Sequence, residues 1–192
     1  VPVIAAWLSR RPVATYLVAY SSHYEGRLRL PWPCAALLRS PRCQAVFSRD
    51  QLTAEDQSSQ LHRPVRFLGN PFMDPVLTPV APLPAAEQRI GLLPGSRRPE
   101  LDANLTLMLR LVSQLPQQSG LHLDLAPVNS LGDTDLSALA KRAGWSLQDE
   151  RLQRDGAPTI QVHRGAFQAV LQSSDLVIGM AGTAVEQAVG LG

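Results

Sequence analysis

Apolar residues along the chain fall into two kinds of pattern. "VATYLVAY" from Val13 and "DLVIGMAG" from Asp175 are continuous runs of the length of buried strands. Leu101, Leu105, Met108, Val112 and Leu115 instead recur every three or four positions, which predicts an amphipathic helix over about 100–115 with one face inward. Extended along the C-terminal part, the pattern predicts strand 89–93, that helix, strand 121–127, helix 134–143, strands near 146–148 and 159–163, helix 166–173, strand 175–179 and helix 183–190. Strands that alternate with helices imply a parallel, doubly wound sheet, which binds ligands where strand C-termini meet helix N-termini. The front part has a similar grammar: a strand in "PVATYLVAYSS", a short helix in "PWPCAALLRS", a strand in "CQAVFS", a helix in "RDQLTAEDQSSQL" and a strand in "RPVRFLG". Between the parts, "NPFMDPVLTPVAPLPAA" holds five prolines in seventeen residues, poor helix and poor central strand. The expected organisation is a first domain over 1–71, a linker over 72–86 and a second domain over 87–192.

Composition narrows the classes. At 192 residues with 45% hydrophobic and 18% charged positions, the chain can bury one good core or two modest ones. No apolar run approaches the ~20 residues of a membrane-spanning helix. Cys34 and Cys43 stand alone, without a second pair or a histidine at metal spacing, and support neither a disulfide framework nor a zinc site. A net charge of +2 is too small for a nucleic-acid footprint. It is uneven, however: residues 1–70 carry nine Arg against four acidic residues, and 71–192 carry nine basic against twelve acidic. The basic front could face an anionic membrane or substrate, or could simply reflect Arg usage. The opening "VPVIAAWLSRRP" lacks both a Met and a signal-peptide order, and "EQAVGLG" stops where a parallel sheet calls for another strand, so both ends read as internal positions of a longer protein.

Three stretches carry candidate chemistry. In "IGLLPGSRRPEL" a strand drops into Pro94-Gly95-Ser96-Arg97 and a helix begins. Gly95 permits close backbone approach, Ser96 can cap the helix or bond a phosphate oxygen, and Arg97 offers a planar fork for a diphosphate; an ordinary helix start would look the same. In "SDLVIGMAGTAVEQAVGLG" the small residues Gly179 to Thr183, Ala181 among them, again let a helix start approach a ligand. Glu186 stands three residues after Thr183, the separation of a capping box, or alternatively accepts from ribose hydroxyls. In "FLGNPFMD" a turn places Gly69, Asn70 and Asp74 at the edge of the linker. Ser22, His23 and Tyr24 form a polar cluster after the first strand. The histidines are dispersed, none suggests a hydrolytic triad, and His122 and His163 lie in strand patterns as structural residues.

"FLGNPFMD", the Pro-rich link, "LLPGSRRPEL" and "SDLVIGMAGTAVEQAVGLG", in this order, resemble lipid-A-disaccharide synthase and, more closely, the lipid-A-disaccharide synthase-related glycosyltransferases. The resemblance implies an α/β protein of GT-B type, two Rossmann-like doubly wound domains with mainly parallel sheets, both incomplete in this chain. It implies that Gly95, Ser96 and Arg97 meet the diphosphate of a UDP-sugar and that Gly182, Thr183 and Glu186 meet its nucleoside side. Gly69, Asn70 and Asp74 would edge the cleft or hinge, and Ser22, His23 and Tyr24 the side of a lipid-linked or amphiphilic acceptor. It further implies inverting transfer without a metal or other cofactor, with a general base upstream of Val1, so that residues 1–192 alone are inactive. The expected location is cytoplasmic, with the basic front part against the inner face of a membrane and no nucleic-acid partner. A non-catalytic nucleotide-sugar-binding protein and a UDP-sugar epimerase of the same architecture are the alternatives.

Overall fold

The computed structural model describes residues 2–180 and 182–192. They form two compact units with the boundary between Asp74 and Pro75.

The first unit runs α1 (Pro2–Leu8), β1 (Val13–Leu17), α2 (Ser22–Glu25), α3 (Trp32–Arg39), β2 (Cys43–Ser48), α4 (Gln51–Leu61) and β3 (Arg66–Phe67), and α5 (Asp74–Leu77) straddles the boundary. Its strands lie parallel in the order β1-β2-β3. Leu38, Val46, Ala54 and Leu61 are buried together against them. The strand expected across "RPVRFLG" shrinks to two residues, because Pro64 has no N–H for a ladder and Gly69, at φ +112°, turns the chain away.

Helix α4 starts where Asp50, in extended backbone, accepts from the Thr53 amide and from the Thr53 hydroxyl, each at 2.7 Å. Burial works against the charged carboxylate, but these bonds prevail and hold its pKa below the ordinary value of 3.8. A depressed carboxylate pKa adds stability above the unfolded value, and that stability is lost as pH falls through the folded one. Asp50→Ala is therefore expected to lower the unfolding free energy by about 1 kcal/mol at pH 7, and by progressively less below about pH 4. Denaturant titrations of both proteins across that window check this; a constant difference would assign the loss to packing.

The second unit comprises β4 (Gln88–Leu93), α6 (Glu100–Val112), β5 (Leu121–Leu125), α7 (Asp133–Arg142), β6 (Ser146–Gln148), β7 (Arg151–Gln153), β8 (Ile160–Val162), α8 (Phe167–Ser173), β9 (Leu176–Gly179) and α9 (Thr183–Leu191). The sheet order is β6-β7-β8-β5-β4-β9. Strands β8, β5, β4 and β9 are mutually parallel, while β7 pairs antiparallel with both of its neighbours. The sheet is thus mixed. Its hairpin turns at Asp149 and Glu150, both in the left-handed region at φ 46° and 57°, the signature of a two-residue turn. On one face Leu101, Leu105, Met108, Leu109 and Val112 of α6 pack with Leu136 and Leu139 of α7 onto Leu92, Leu123, Leu125 and Ile160. Leu115 lies beyond the end of α6.

Alternation along the strands turns Arg89 and Asp124 away from that core, and both are buried. Arg89 Nη1 pairs with Asp124 Oδ2, Arg89 Nη2 donates to the Pro84 carbonyl, and His163 Nε2 lies 2.6 Å from Asp124 Oδ1. His163 is thus a satisfied structural residue.

The proline-rich stretch belongs to the second unit from Pro75 onward. Gln172 Nε2 donates to the carbonyls of Val76 at 2.6 Å and Thr78 at 2.9 Å, and Gln168 also donates to Thr78. The amides of Val80 and Leu83 donate back to Gln172 Oε1 and Ser173 Oγ, at 3.3 and 3.1 Å. Prolines cannot join a ladder, but they leave an extended backbone whose carbonyls side-chain amides can grip. The molecule is therefore α/β with parallel strands in both sheets, compatible with Rossmann-like units. Among the described residues, no helix is long and apolar enough to cross a membrane.

Candidate functional site

Strands β4 and β9 are neighbours, with Leu93 in register with Gly179, so the turns that follow them lie side by side at one edge of the sheet. The first turn runs Pro94-Gly95-Ser96-Arg97 into α6, and the second passes Met180 and Gly182 into α9. Gly95 at φ +95° and Gly182 at φ +123° occupy backbone conformations that L side chains avoid. Asn104, one turn into α6, donates Nδ2 to the Pro94 carbonyl at 3.0 Å and pins the first turn.

The two turns share a cavity of about 610 Å³. Gly95, Ser96, Arg97, Glu100 and Asn104 line one side, Met180, Gly182, Thr183 and Ala184 another, and Ala126 to Asn129 after β5 complete it with Gly165 and Phe167. Neither α6 nor α9 has a side-chain cap: Pro99 and Gly182 occupy the N-cap positions. Ser96 is therefore not the cap of α6. First-turn amides without a side-chain cap are suited to an anionic ligand.

The adjacent arginines divide the work. Arg98 pairs with Asp102 at 3.3 Å and with Asp135 at 2.8 Å. Arg97 is exposed on the cavity wall and makes no ion pair among the described residues.

Of the residues expected at the nucleoside side, Gly182 and Thr183 line the cavity and Glu186 does not. Glu186 is half-buried, one turn along α9, and its amide donates to the Gly182 carbonyl at 3.1 Å. Gly182 holds the N-cap position and Thr183 is the first helical residue, so Thr183 is not the cap of a capping box. Ala181 lies outside the described residues.

Gly69, Asn70 and Asp74 are together in the first unit. Tyr16 Oη donates to the Gly69 carbonyl at 2.5 Å, and Asn70 accepts the amides of Phe72 at 3.1 Å and Met73 at 2.9 Å. Burial first, and the charge of Asp74 second, raise the Tyr16 pKa. The cluster expected to meet an acceptor splits: Ser22 is buried, its amide 2.7 Å from Thr53 Oγ1, whereas His23 and Tyr24 are exposed and pack edge to face at 4.9 Å. A hydroxyl at the start of a short helix over the α4 N-terminus turns inward with its own backbone.

The far wall of the cavity, Val128, Asn129, Gly165 and Phe167, was not singled out by any motif, since it comes from two segments about 40 residues apart in sequence. The available signal was positional: both segments follow predicted parallel strands, where such sheets bind ligands. Among the described residues there is no group of three or more His, Cys, Asp or Glu side chains that could hold a metal ion. In comparisons with known proteins the chain matches no family model, no curated protein and no solved structure.

Proposed function

We propose that the second unit binds the nucleotide of a UDP-sugar, and that the protein is a glycosyltransferase of GT-B type acting on a lipid-linked or amphiphilic acceptor. The observation that carries this reading is the meeting of the Gly95-Ser96-Arg97 turn and the Gly182-Thr183 turn in one cavity at the C-terminal edge of a largely parallel sheet. The amides of the first turn and the Arg97 guanidinium would hold the diphosphate, with the second turn at the nucleoside side. Transfer would invert the anomeric centre without a metal: Arg97 and the start of α6 would offset charge on departing UDP, and a general base from the acceptor side would take the hydroxyl proton. An amphiphilic acceptor or an anionic membrane surface suits the first unit, which is rich in arginine and exposes Trp7, Leu8, Tyr24 and Trp32.

Calorimetry with UDP, UDP-N-acetylglucosamine, UDP-glucose and GDP-mannose tests the reading. The expected result is binding of the uridine nucleotides and much weaker binding of GDP-mannose. A protein that binds no uridine nucleotide would return the two turns to ordinary helix starts.

A further inference from the structure

We infer that Glu100 makes this cavity selective for a nucleotide whose sugar carries no negative charge. The inference rests on the nucleotide-sugar reading above and goes beyond it to the class of sugar. Among the residues that line the cavity, Arg97 and Glu100 are the only ionisable ones, and they stand three positions apart at the entrance to α6. Their formal charges cancel, so the wall has a local excess of positive charge only where Arg97 reaches.

Among the described residues, no side chain forms an ion pair with Glu100. The nearest guanidinium in sequence, Arg98, is engaged by Asp102 and Asp135. The Glu100 carboxylate itself makes no ion pair or hydrogen bond among the described residues and is exposed on the wall. A carboxylate in the first turn of a helix is favoured by the helix dipole, which accounts for an acid at this position with or without a ligand. Within a cavity that also holds phosphates, however, that acid has a second effect. Phosphates drawn to Arg97 and the Gly95 turn leave the sugar to meet the rest of the wall. There Glu100 can accept hydrogen bonds from sugar hydroxyls, as ionised acceptors do strongly, while it repels a sugar carboxylate. Two like charges about 8 Å apart in an environment between water and protein interior interact by enough to change affinity about five-fold.

UDP-glucose and UDP-glucuronate differ only at the sugar's sixth carbon, a hydroxymethyl group in one and a carboxylate in the other, which makes them the direct probe. The protein is expected to bind UDP-glucose more tightly. Glu100→Gln, which keeps size and an acceptor oxygen, should narrow the ratio of the two affinities about five-fold, mainly by tightening UDP-glucuronate. Glu100→Ala should narrow it as well, and should also weaken UDP-glucose through the lost acceptor. Melting temperature without ligand separates the alternative: an acid that serves only the helix start would lower it on replacement and leave the ratio unchanged. An unchanged ratio in both variants overturns the inference while leaving the nucleotide site standing. If the unmodified protein binds UDP and neither UDP-sugar, the cavity has no sugar site and the inference falls. If it binds no uridine nucleotide at all, the reading beneath it falls as well.

Discussion

Asp124→Ala is expected to lower the unfolding free energy of the second unit by about 3 to 5 kcal/mol, the range for breaking a buried ion pair on one side. Arg89 and Asp124 are 5% and 2% exposed, near the centre of the sheet, and the carboxylate is bonded on both oxygens, by Arg89 and by His163. Alanine would leave a guanidinium without a counter-charge in a place that water does not reach. Most of the loss is that penalty rather than the worth of the pair, so Arg89→Met combined with Asp124→Leu should recover much of it. Chemical denaturation of the single and double variants reads this directly. A loss below about 1 kcal/mol in the single variant would mean that water or a rearranged side chain reaches the arginine.

If the second unit binds UDP as proposed, Arg97→Ala is expected to weaken that binding by about 1.5 to 3 kcal/mol, or roughly ten- to a hundred-fold, since it would remove a charge-assisted contact to phosphate. Its own unfolding free energy should stay within about 0.5 kcal/mol, because the side chain is exposed and makes no ion pair among the described residues. Arg98→Ala is the internal comparison. Its partners Asp102 and Asp135 are on the surface, where such pairs contribute up to about 1 kcal/mol, and it does not line the cavity. Titrating UDP into both variants therefore separates two neighbouring arginines of opposite character. Equal weakening by the two would place the phosphates between them and outside the Gly95 turn.

How far the sequence speaks depends on the range of the interaction being read. The inner face of α6 is legible because its buried residues recur every three or four positions, with Leu101, Leu105, Met108 and Val112 all within the core, and strands β4, β5 and β9 are legible because each contains a short apolar run. Strand β7 is not legible, since only Leu152 of its three residues is buried, and the hairpin that creates it depends on Asp149 and Glu150 accepting positive φ. The Gly95 and Gly182 turns are visible as motifs because small residues between a strand and a helix are a local signal. Helix α9 begins at Thr183, as the pattern predicts, but which of its side chains reach the cavity depends on the far wall, and Glu186 is not among those that line it. The Arg89–Asp124–His163 cluster spans three strands, and no spacing along the chain announces it.

The grip of α8 on the proline-rich stretch has a practical consequence for anyone who wishes to produce the second unit by itself. By composition, Glu87 looks like the natural first residue, since every strand and helix from β4 onward would be retained. A recombinant fragment begun there would nevertheless leave the amides of Gln168 and Gln172 and the hydroxyl of Ser173 without their backbone partners. It would also take the Pro84 carbonyl from Arg89, so that a trim at the surface is felt in the middle of the sheet. Pro75 is the start that keeps the unit whole.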